Sequence, residues 1–220
     1  MILATNITLS YDKKRNIIEN GNFHIKEKEF IFISGSSGSG KSTLLKSIYG
    51  ELQIISGKLF VNKIDMSKGG KNNLLDLRKN LGIIFQDYKL IEDYTIEENI
   101  MLPLKIKHYD DKISQKQVEK LLKHIKLSHR VGAYPAELSG GEQQRVAVAR
   151  ALAHNPAIIL ADEPTGNLDE FSAGVIWELL KSANEHLGIT IVVVTHQIPK
   201  NFGIRYRRFN IDEGIIYEAS

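Results

Sequence analysis

The chain alternates short apolar runs with stretches of helical length. Four runs are long enough for a strand and too short for a helix, and they are rich in β-branched and aromatic residues, which favours strands buried on both faces. They lie at residues 30–33, 81–85, 157–161 and 189–194. Helical stretches are predicted at 43–49, at 143–153 and around 173–183. This alternation predicts an α/β domain built on a parallel sheet.

Other parts of the chain have the pattern of antiparallel β-structure. Residues 2–9 alternate apolar and polar side chains, and a second strand is predicted near 23–25. An edge strand is predicted at 57–62, and an antiparallel hairpin at 204–217. The polar, glycine-bearing segment 68–73 is predicted to be a loop. The α/β core should therefore carry an antiparallel β edge.

Residues from about 87 to 136 are mostly helical in pattern and interrupt the α/β alternation. Thr95 and Glu98 fit a capping box that begins one helix, and Pro103 is expected to end it. A second capping box beginning at Ser114 predicts the next helix. The apolar face of that helix consists of Val118, Leu121, Leu122 and Ile125.

One glycine-rich segment carries the most specific chemistry. Residues 35–42 fit the phosphate-binding pattern G-x-x-x-x-G-K-[ST] between a predicted strand and a predicted helix, which disfavours a flexible surface turn. Its glycines let consecutive N–H groups point at an anion. Lys41, a candidate catalytic residue, should reach the β- and γ-phosphates, and Ser42 should hold Mg²⁺. The predicted nucleotide-binding residues here are Gly35, Ser36, Ser37, Gly38, Ser39, Gly40, Lys41, Ser42 and Thr43.

Polar residues follow three of the predicted buried strands. Because the carboxyl ends of parallel strands meet at one sheet edge, Gln86, Asp162, Glu163 and His196 should lie beside the phosphate loop. Asp162 matches the acidic position that supports Mg²⁺, and Glu163 is placed to orient or deprotonate water. Gln86 offers an amide oxygen to Mg²⁺, and His196 can bond the γ-phosphate or water. Each could singly be an ordinary loop or helix-terminal residue, but the shared edge favours catalysis.

A second helix N-terminus with free N–H groups is predicted at Ser139, Gly140 and Gly141. It could be an ordinary capped helix. One nucleotide in one chain has no evident use for two phosphate-binding helix ends, whereas a two-fold dimer can bring one from each chain to the same ATP. This predicts an ATP-dependent homodimer in which ATP joins the chains and hydrolysis releases them.

Composition narrows the class of protein. The chain has 220 residues and no cysteine, which excludes disulfides and thiolate metal sites. The net charge of +3 is carried by dispersed lysines, which favours solvated faces over a nucleic-acid groove. The most apolar segment, 189–194, is far shorter than the roughly 20 residues that span a bilayer, and no signal peptide is recognisable. Any membrane role is therefore expected to act through a partner.

With these motifs the chain resembles the nucleotide-binding subunits of ABC ATPases over nearly all its residues. Segment 138–143 resembles the ABC signature, and 158–163 resembles the Walker B strand with its catalytic glutamate. The resemblance implies hydrolysis of ATP with Mg²⁺, stacking of Tyr11 on adenine, and an Asp169 that crosses the dimer interface. Tyr11 could equally be a packed surface aromatic. Gln86 resembles the Q-loop of this family, 167–169 resembles its D-loop, and His196 resembles its H-loop.

The resemblance also implies a fold and a domain division. The expected fold is an α/β phosphate-loop NTPase core of ABC-ATPase type with an antiparallel β edge and an inserted α-helical subdomain. The single domain should span 1–220, with 1–86 and 137–220 forming the core and 87–136 the helical subdomain.

Segment 161–169 resembles a group that contains the cell-division ATPases FtsE, the lipoprotein-release ATPases and the MacB-type exporters. The FtsE resemblance implies a peripheral protein on the cytoplasmic side of the inner (plasma) membrane, docked through its helical subdomain on an FtsX-like integral membrane protein, and regulation of peptidoglycan hydrolysis. The residues that favour FtsE are Phe85, Gln86, Asp87, Leu90, Asp93, Thr95, Glu98 and Asn99.

Other functions stay open at this point. An export ATPase is the main alternative to a cell-division role. A soluble ABC-type ATPase of DNA repair or translation is disfavoured because the chain has neither a coiled-coil insertion nor a second cassette. A phosphate-loop kinase or GTPase would leave 138–143 unexplained.

Overall fold

The computed structural model describes residues 1–12, 14–68 and 70–219, and in this part of the chain it contains two β-sheets and six α-helices. The strands are β1 (Ile2–Leu9), β2 (Ile18–Ile25), β3 (Phe30–Gly35), β4 (Ser56–Val61), β5 (Ile64–Asp65), β6 (Leu81–Ile84), β7 (Ile158–Asp162), β8 (Thr190–Val194), β9 (Arg207–Asp212) and β10 (Ile215–Ala219). The helices are α1 (Lys41–Ile48), α2 (Lys71–Lys79), α3 (Ile96–Ile106), α4 (Asp111–His124), α5 (Gly140–Leu152) and α6 (Glu170–Leu187).

The larger sheet has the order β10-β9-β3-β8-β7-β6. All neighbouring strands in it are parallel except the terminal β9–β10 hairpin. This confirms the predicted α/β fold with an antiparallel edge. The order places the carboxyl ends of β3, β8, β7 and β6 side by side, so the segments that follow these four strands lie along one edge of the sheet.

The smaller sheet, β2-β1-β4-β5, is antiparallel and packs with α1 against the larger one. A strand is present where 57–62 was predicted, as β4, but its predicted position at the sheet edge is wrong, because β4 lies between β1 and the two-residue β5. The turn between β9 and β10 connects the two sheets. The N–H of Glu19, on β2 of the smaller sheet, donates a hydrogen bond to Gly214 O in this turn at 3.0 Å.

Alternate residues of β3 serve two separate cores. Phe30 and Phe32 pack into a cluster that includes side chains of α3, α4, α5 and α6. Ile31 and Ile33 point the other way, into the cluster that contains α1 and β1. The period-two geometry of a strand explains this division, and burial on both faces explains why β3 is apolar throughout.

The helical region differs from the prediction at Pro103, which does not end α3. The helix continues to Ile106, and the Lys107 N–H donates to Pro103 O at 3.2 Å. A proline inside a helix removes one main-chain bond, but the next residue, Leu104, is buried in the core and holds the last turn in place. The predicted Thr95 capping box is present. The division of the chain at 87 and 136 stays a prediction.

The start of α4 also differs from the prediction. Ser114 does not cap this helix but lies inside it, buried and without a hydrogen-bond partner for its hydroxyl. Asp110 is the cap, and its Oδ1 accepts from the N–H groups of Lys112 at 2.9 Å and Ile113 at 3.2 Å. Both residue types cap helices well, so sequence spacing alone did not separate them.

The loop predicted at 68–73 is partly helical, because α2 begins at Lys71. Gly69, within that prediction, lies outside the described residues. Asn72 and Asn73, two of the polar residues that suggested a loop, are exposed in the first turn, while Leu77 further along the helix is fully buried. A single buried residue is too weak a periodic signal to reveal a short helix.

Candidate active site

The phosphate loop connects β3 to α1 and is shaped by its glycines. Gly38 has φ 77° and Gly40 has φ 106°, conformations that side chains with a Cβ rarely adopt. A Cβ on Gly35 would lie 2.4 Å from the main-chain oxygen of Ile211 on β9, so the loop leaves the sheet at a point where only glycine fits. Helix α1 begins at Lys41, two residues before the predicted start, which places Lys41 and Ser42 in its first turn.

Lys41 lies folded over the loop. Its Nζ donates to Gly35 O at 3.0 Å and to Ser36 O at 2.8 Å, and only 6% of the residue is exposed. Burial lowers the pKa of Lys41, while the nearby carboxylates of Glu163 and Asp162 oppose that shift. The ammonium is therefore held by neutral carbonyl oxygens beside a loop built for anions, and a phosphate would give it a stronger partner.

One cleft of about 500 Å³ brings the predicted chemistry together. Ser37, Gly38, Lys41 and Ser42 contribute the phosphate-loop part of its lining. The lining also contains polar residues at or just after the carboxyl ends of β6, β7 and β8, which are Gln86, Asp162, Glu163, His196 and Gln197. The strand order described above explains the convergence, because each residue stands at the same sheet edge.

Asp162 is the residue best suited to support a cation. Burial raises the pKa of its carboxyl, whereas a hydrogen bond from Ser42 and the charges of Lys41 and Lys46 lower it. Its Oδ1 is buried without a hydrogen-bond partner. Such an orphaned oxygen beside a hydroxyl fits Mg²⁺, which takes few protein ligands and completes its shell with phosphate and water. In the described ranges, no group of three or more His, Asp or Glu side chains is arranged to hold a metal ion.

Glu163 is held toward His196. The main-chain N–H of His196 donates to Glu163 Oε2 at 3.3 Å, and His196 Nε2 lies 3.3 Å from Glu163 Oε1. The contact between Nε2 and Oε1 is within ion-pair distance but is not a hydrogen bond, so Oε1 is buried without a hydrogen-bond partner. Glu163 itself has φ 46°, and its N–H donates to Val194 O at 2.9 Å. Bonding to β8 thus fixes an unfavourable backbone conformation that points the carboxylate into the cleft.

Tyr11 stands at a second, larger cleft of about 1,040 Å³ on the other side of the phosphate loop. The residue is 59% exposed, its hydroxyl lies 3.5 Å from Thr43 Oγ1, and Lys46 Nζ lies 5.8 Å from its ring centroid. Ser36, Ser39 and Thr43 line the same cleft. An exposed aromatic face next to the loop is available for a nucleotide base.

The other predicted helix end is well formed but lies apart. Ser139 caps α5, with the Glu142 N–H donating to its hydroxyl at 3.3 Å and the hydroxyl donating to Glu142 Oε2 at 2.8 Å. Among the described residues, neither cleft lining includes 139–141. Asp169 caps α6 through the Ser172 N–H at 2.9 Å, which lowers the pKa of Asp169. Within one chain, neither 139–141 nor Asp169 lines either of the two clefts beside the phosphate loop.

Two polar residues on α5, the buried Gln144 and the half-buried Arg150, were missed by sequence reasoning. Gln144 and Arg150 donate hydrogen bonds to main-chain oxygens of the segments that follow Glu163 and Gln86. The acceptors are main-chain carbonyl groups far away in the sequence. Because every residue has such a group, no sequence pattern predicts these hydrogen bonds.

A phosphate loop at the end of a parallel strand, with an acidic pair at the end of a nearby strand, defines a phosphate-loop NTPase. The family model described as "ABC transporter" matches residues 18–166. The chain therefore belongs to the ABC transporter family and carries its ATPase domain.

Individual relatives agree with this family. The chain is 39% identical over 220 residues to the methionine import ATP-binding protein MetN of Carboxydothermus hydrogenoformans, covering 99% of this chain and 65% of MetN. It is 40% identical to MetN 1 of Acinetobacter baylyi, covering 89% and 55%. It is 37% identical to the cell division ATP-binding protein FtsE of Streptococcus pneumoniae, covering 97% and 93%. The chain thus spans 55% to 65% of these MetN proteins.

Solved structures have the same fold. The dimeric ATP-binding cassette MJ0796 in a post-hydrolysis state bound to ADP and Pi matches with a TM-score of 0.90 and 38% identity, over 100% of this chain and 98% of that one. The cbiO1 protein of Clostridium perfringens, part of the transporter complex cbiONQ, matches with a TM-score of 0.86 and 27% identity, over 98% and 86%.

No helix within the described ranges combines the length and the apolar character needed to cross a bilayer.

Proposed function

We propose that the chain is an ATP-binding and ATP-hydrolysing subunit that dimerises around ATP and drives a conformational change in a membrane partner. One observation carries this proposal. The phosphate loop and the four polar residues Gln86, Asp162, Glu163 and His196 line one cleft, whereas the helix end at 139–141 belongs to neither cleft lining in the described chain. A complete site then needs a second copy.

Binding would begin at the phosphate loop. Lys41 would exchange two carbonyl oxygens for the β- and γ-phosphates, and the loop N–H groups would donate to the same oxygens. Ser42, Asp162 and Gln86 are the residues that would hold Mg²⁺, which neutralises phosphate charge when bound. Tyr11 would stack on the base.

Hydrolysis would use the residues that follow β7 and β8 in the same cleft. Glu163 would accept a proton from water as the water oxygen bonds the γ-phosphorus, and the electron pair of the breaking bond would remain on the β-phosphate oxygen of ADP. His196 would hold the γ-phosphate or the water, because its side chain lies against Glu163 in the cleft. In the dimer, Ser139, Gly140 and Gly141 would close over the partner's γ-phosphate, with Asp169 beside them.

The membrane partner we propose is an FtsX-like integral membrane protein, bound through the helices after Gln86, with a role in cell division at the cytoplasmic face of the membrane. The residues from Phe85 to Asn99 that resemble FtsE support it, as does the FtsE relative. The MetN relatives favour a second candidate, the ATPase of an import transporter, because their identity to this chain is as high.

Purification of the complex from membranes separates these two roles. Co-purification of a four-helix protein with a large external loop is the result expected for an FtsX-like partner. A multi-helix permease with an associated solute-binding protein would instead support the import role.

The dimer and the hydrolysis step are tested by Glu163→Gln. This variant keeps the shape of the side chain but removes its basicity, so ATP should still bind while the closed dimer accumulates. Gel filtration with light scattering, in ATP and Mg²⁺, should give twice the mass of the chain, while Glu185→Gln, an exposed change on α6, should behave as the unmodified protein. A monomer for Glu163→Gln under saturating ATP would contradict the proposed dimer.

A further inference from the structure

Helix α5 contacts the segments around the candidate active site through side chains along its length, in addition to its N-terminus. Most of its side chains are buried, from Gln144 to Leu152. Its N-terminus carries 139–141, the segment proposed to face the partner's nucleotide. Further along, the side chains of Gln144 and Arg150 donate hydrogen bonds to main-chain oxygens of segments distant in sequence.

The first of these side chains is Gln144, which is 1% exposed. Its Nε2 donates to Pro164 O at 2.8 Å, and Pro164 directly follows Glu163. The Gln144 Oε1 is buried without a partner. An unpaired buried amide oxygen costs free energy that an apolar side chain at this position would not cost.

The second side chain is Arg150, in the last turn of α5. Its guanidinium donates to Tyr88 O at 2.8 Å, to Lys89 O at 2.7 Å and to Asn99 Oδ1 at 3.3 Å. Tyr88 and Lys89, two and three residues after Gln86, have φ values of 61° and 49°. Such conformations cost about 1 kcal/mol or more each and persist only where the surroundings impose them.

Asn99 completes the hold on this segment. It is fully buried, and its side chain bonds the main chain of Ile91, Tyr94 and Thr95. No carboxylate in the described residues forms an ion pair with Arg150. Its guanidinium instead bonds two main-chain oxygens of the segment that connects Gln86 to α3 and the side-chain oxygen of Asn99 on α3 itself.

We propose that Gln144 and Arg150 are positioning residues for ATP hydrolysis. They tie the segments that follow Glu163 and Gln86 to one helix, at points six residues or about 9 Å apart along its axis. The N-terminus of that helix is the end proposed to meet the partner's γ-phosphate. The two catalytic segments would therefore move with α5 as one body when the dimer closes, an inference that rests on the proposed function.

The kinetic test uses Gln144→Met and Arg150→Lys, which keep size or charge but lose the geometry of the hydrogen bonds. We expect kcat to fall about 10-fold or more, since small misplacements of catalytic groups are costly, while KM for ATP stays within about two-fold because Lys41 and Tyr11 are untouched. The matched controls are Gln117→Met, which loses a bond to Ala153 O, and Arg78→Lys, which loses bonds to Tyr49 O and Gly50 O. A kcat equal to that of the controls would overturn the proposal.

Hydrogen exchange gives a second readout that needs no ATPase activity. In the nucleotide-free protein, Arg150→Lys should accelerate amide exchange in 87–91 but not in 163–168, and Gln144→Met should do the reverse. Unchanged exchange in both segments, or equal acceleration across the whole chain, would count against the positioning role. If the unmodified protein does not hydrolyse ATP, the proposed function fails on its own; if it does and the variants match the controls, only this inference fails.

Discussion

The side chain of Lys41 is the part of the site with most to gain from a ligand. It is almost completely buried, and its ammonium bonds two carbonyl oxygens of its own loop. Burial already lowers its pKa. Because a charged phosphate is a better partner than a carbonyl dipole, nucleotide binding should draw Lys41 off the loop.

Replacement of Lys41 by Ala should therefore abolish most of the affinity for ATP. The expected loss is on the order of 100-fold, since charge-assisted bonds to phosphate contribute about 1.5–3 kcal/mol each. Isothermal titration calorimetry measures it directly. Lys58→Ala, an exposed change on β4, should bind as tightly as the unmodified protein, and equal affinity in both variants would remove Lys41 from the site.

His154, between α5 and β7, makes the fold sensitive to acid. Burial lowers the pKa of His154 to about 4, the charge of Lys107 adds to the effect, and a hydrogen bond with the Leu81 backbone opposes it. The folded protein therefore keeps this ring neutral, whereas the unfolded chain protonates it below about pH 6.5. The unfolded state binds more protons in that window, so the stabilisation present above pH 6.5 is lost as the pH falls toward 4.

His154→Gln should reduce this pH dependence. Between pH 7 and pH 5 the unmodified protein should lose on the order of 2 kcal/mol of unfolding free energy through His154 alone. Urea unfolding at the two pH values measures the difference, which should shrink in the variant. Replacement of the exposed His124 by Gln should leave it unchanged. An identical loss in all three proteins would assign the acid sensitivity to other groups.

At the scale of the element, the start of α4 depends on a single side chain. Asp110→Ala removes the acceptor of two helix N–H groups and should cost about 1 kcal/mol. Ser114→Ala removes a buried hydroxyl without a partner and should cost much less, or stabilise the fold. Urea unfolding of the two variants compares them. The reverse order of stability would restore the capping role that the sequence predicted for Ser114.

The sequence was most informative where an element is buried on both faces. The four central strands are continuous apolar runs, and each was predicted to within two residues, because a strand covered by helices and a second sheet has no polar face. The phosphate loop was equally easy to recognise in the sequence, because binding a phosphate group restricts which residues can occupy its glycine positions and the position of Lys41. Elements with one weakly apolar face, such as α2, gave too little periodicity to be recognised.

Features that depend on tertiary contacts could not be predicted. Pro103 was expected to end α3, but the burial of Leu104 carries the helix one turn further. Gln144 and Arg150 donate hydrogen bonds to main-chain carbonyl oxygens, which every residue possesses. The sequence therefore does not reveal which residue accepts each bond. The clustering of Gln86, 162–163 and 196 was predicted only because strand ends in a parallel sheet share an edge.

At the scale of the whole molecule, the proposed site is shared between two copies. A Lys41→Ala chain keeps a normal 139–141 segment, and a Ser139→Arg chain keeps a normal phosphate loop. Each variant alone should be inactive, but the mixed dimer contains one site with both parts intact. Random mixing should restore about a quarter of the unmodified ATPase rate, because half of the dimers are mixed and each has one intact site. A mixture no more active than the sum of its components would rule out shared sites.

The left-handed backbone of Glu163 places thermal stability and catalysis in conflict. Glycine or asparagine would adopt φ 46° at lower cost than glutamate, so either would relax the turn after β7 and raise the melting temperature. Both would also discard the carboxylate proposed to activate water. Directed evolution that selects for heat resistance alone should thus favour substitutions at residue 163. Their products would be more stable and would still bind ATP, but they would not hydrolyse it.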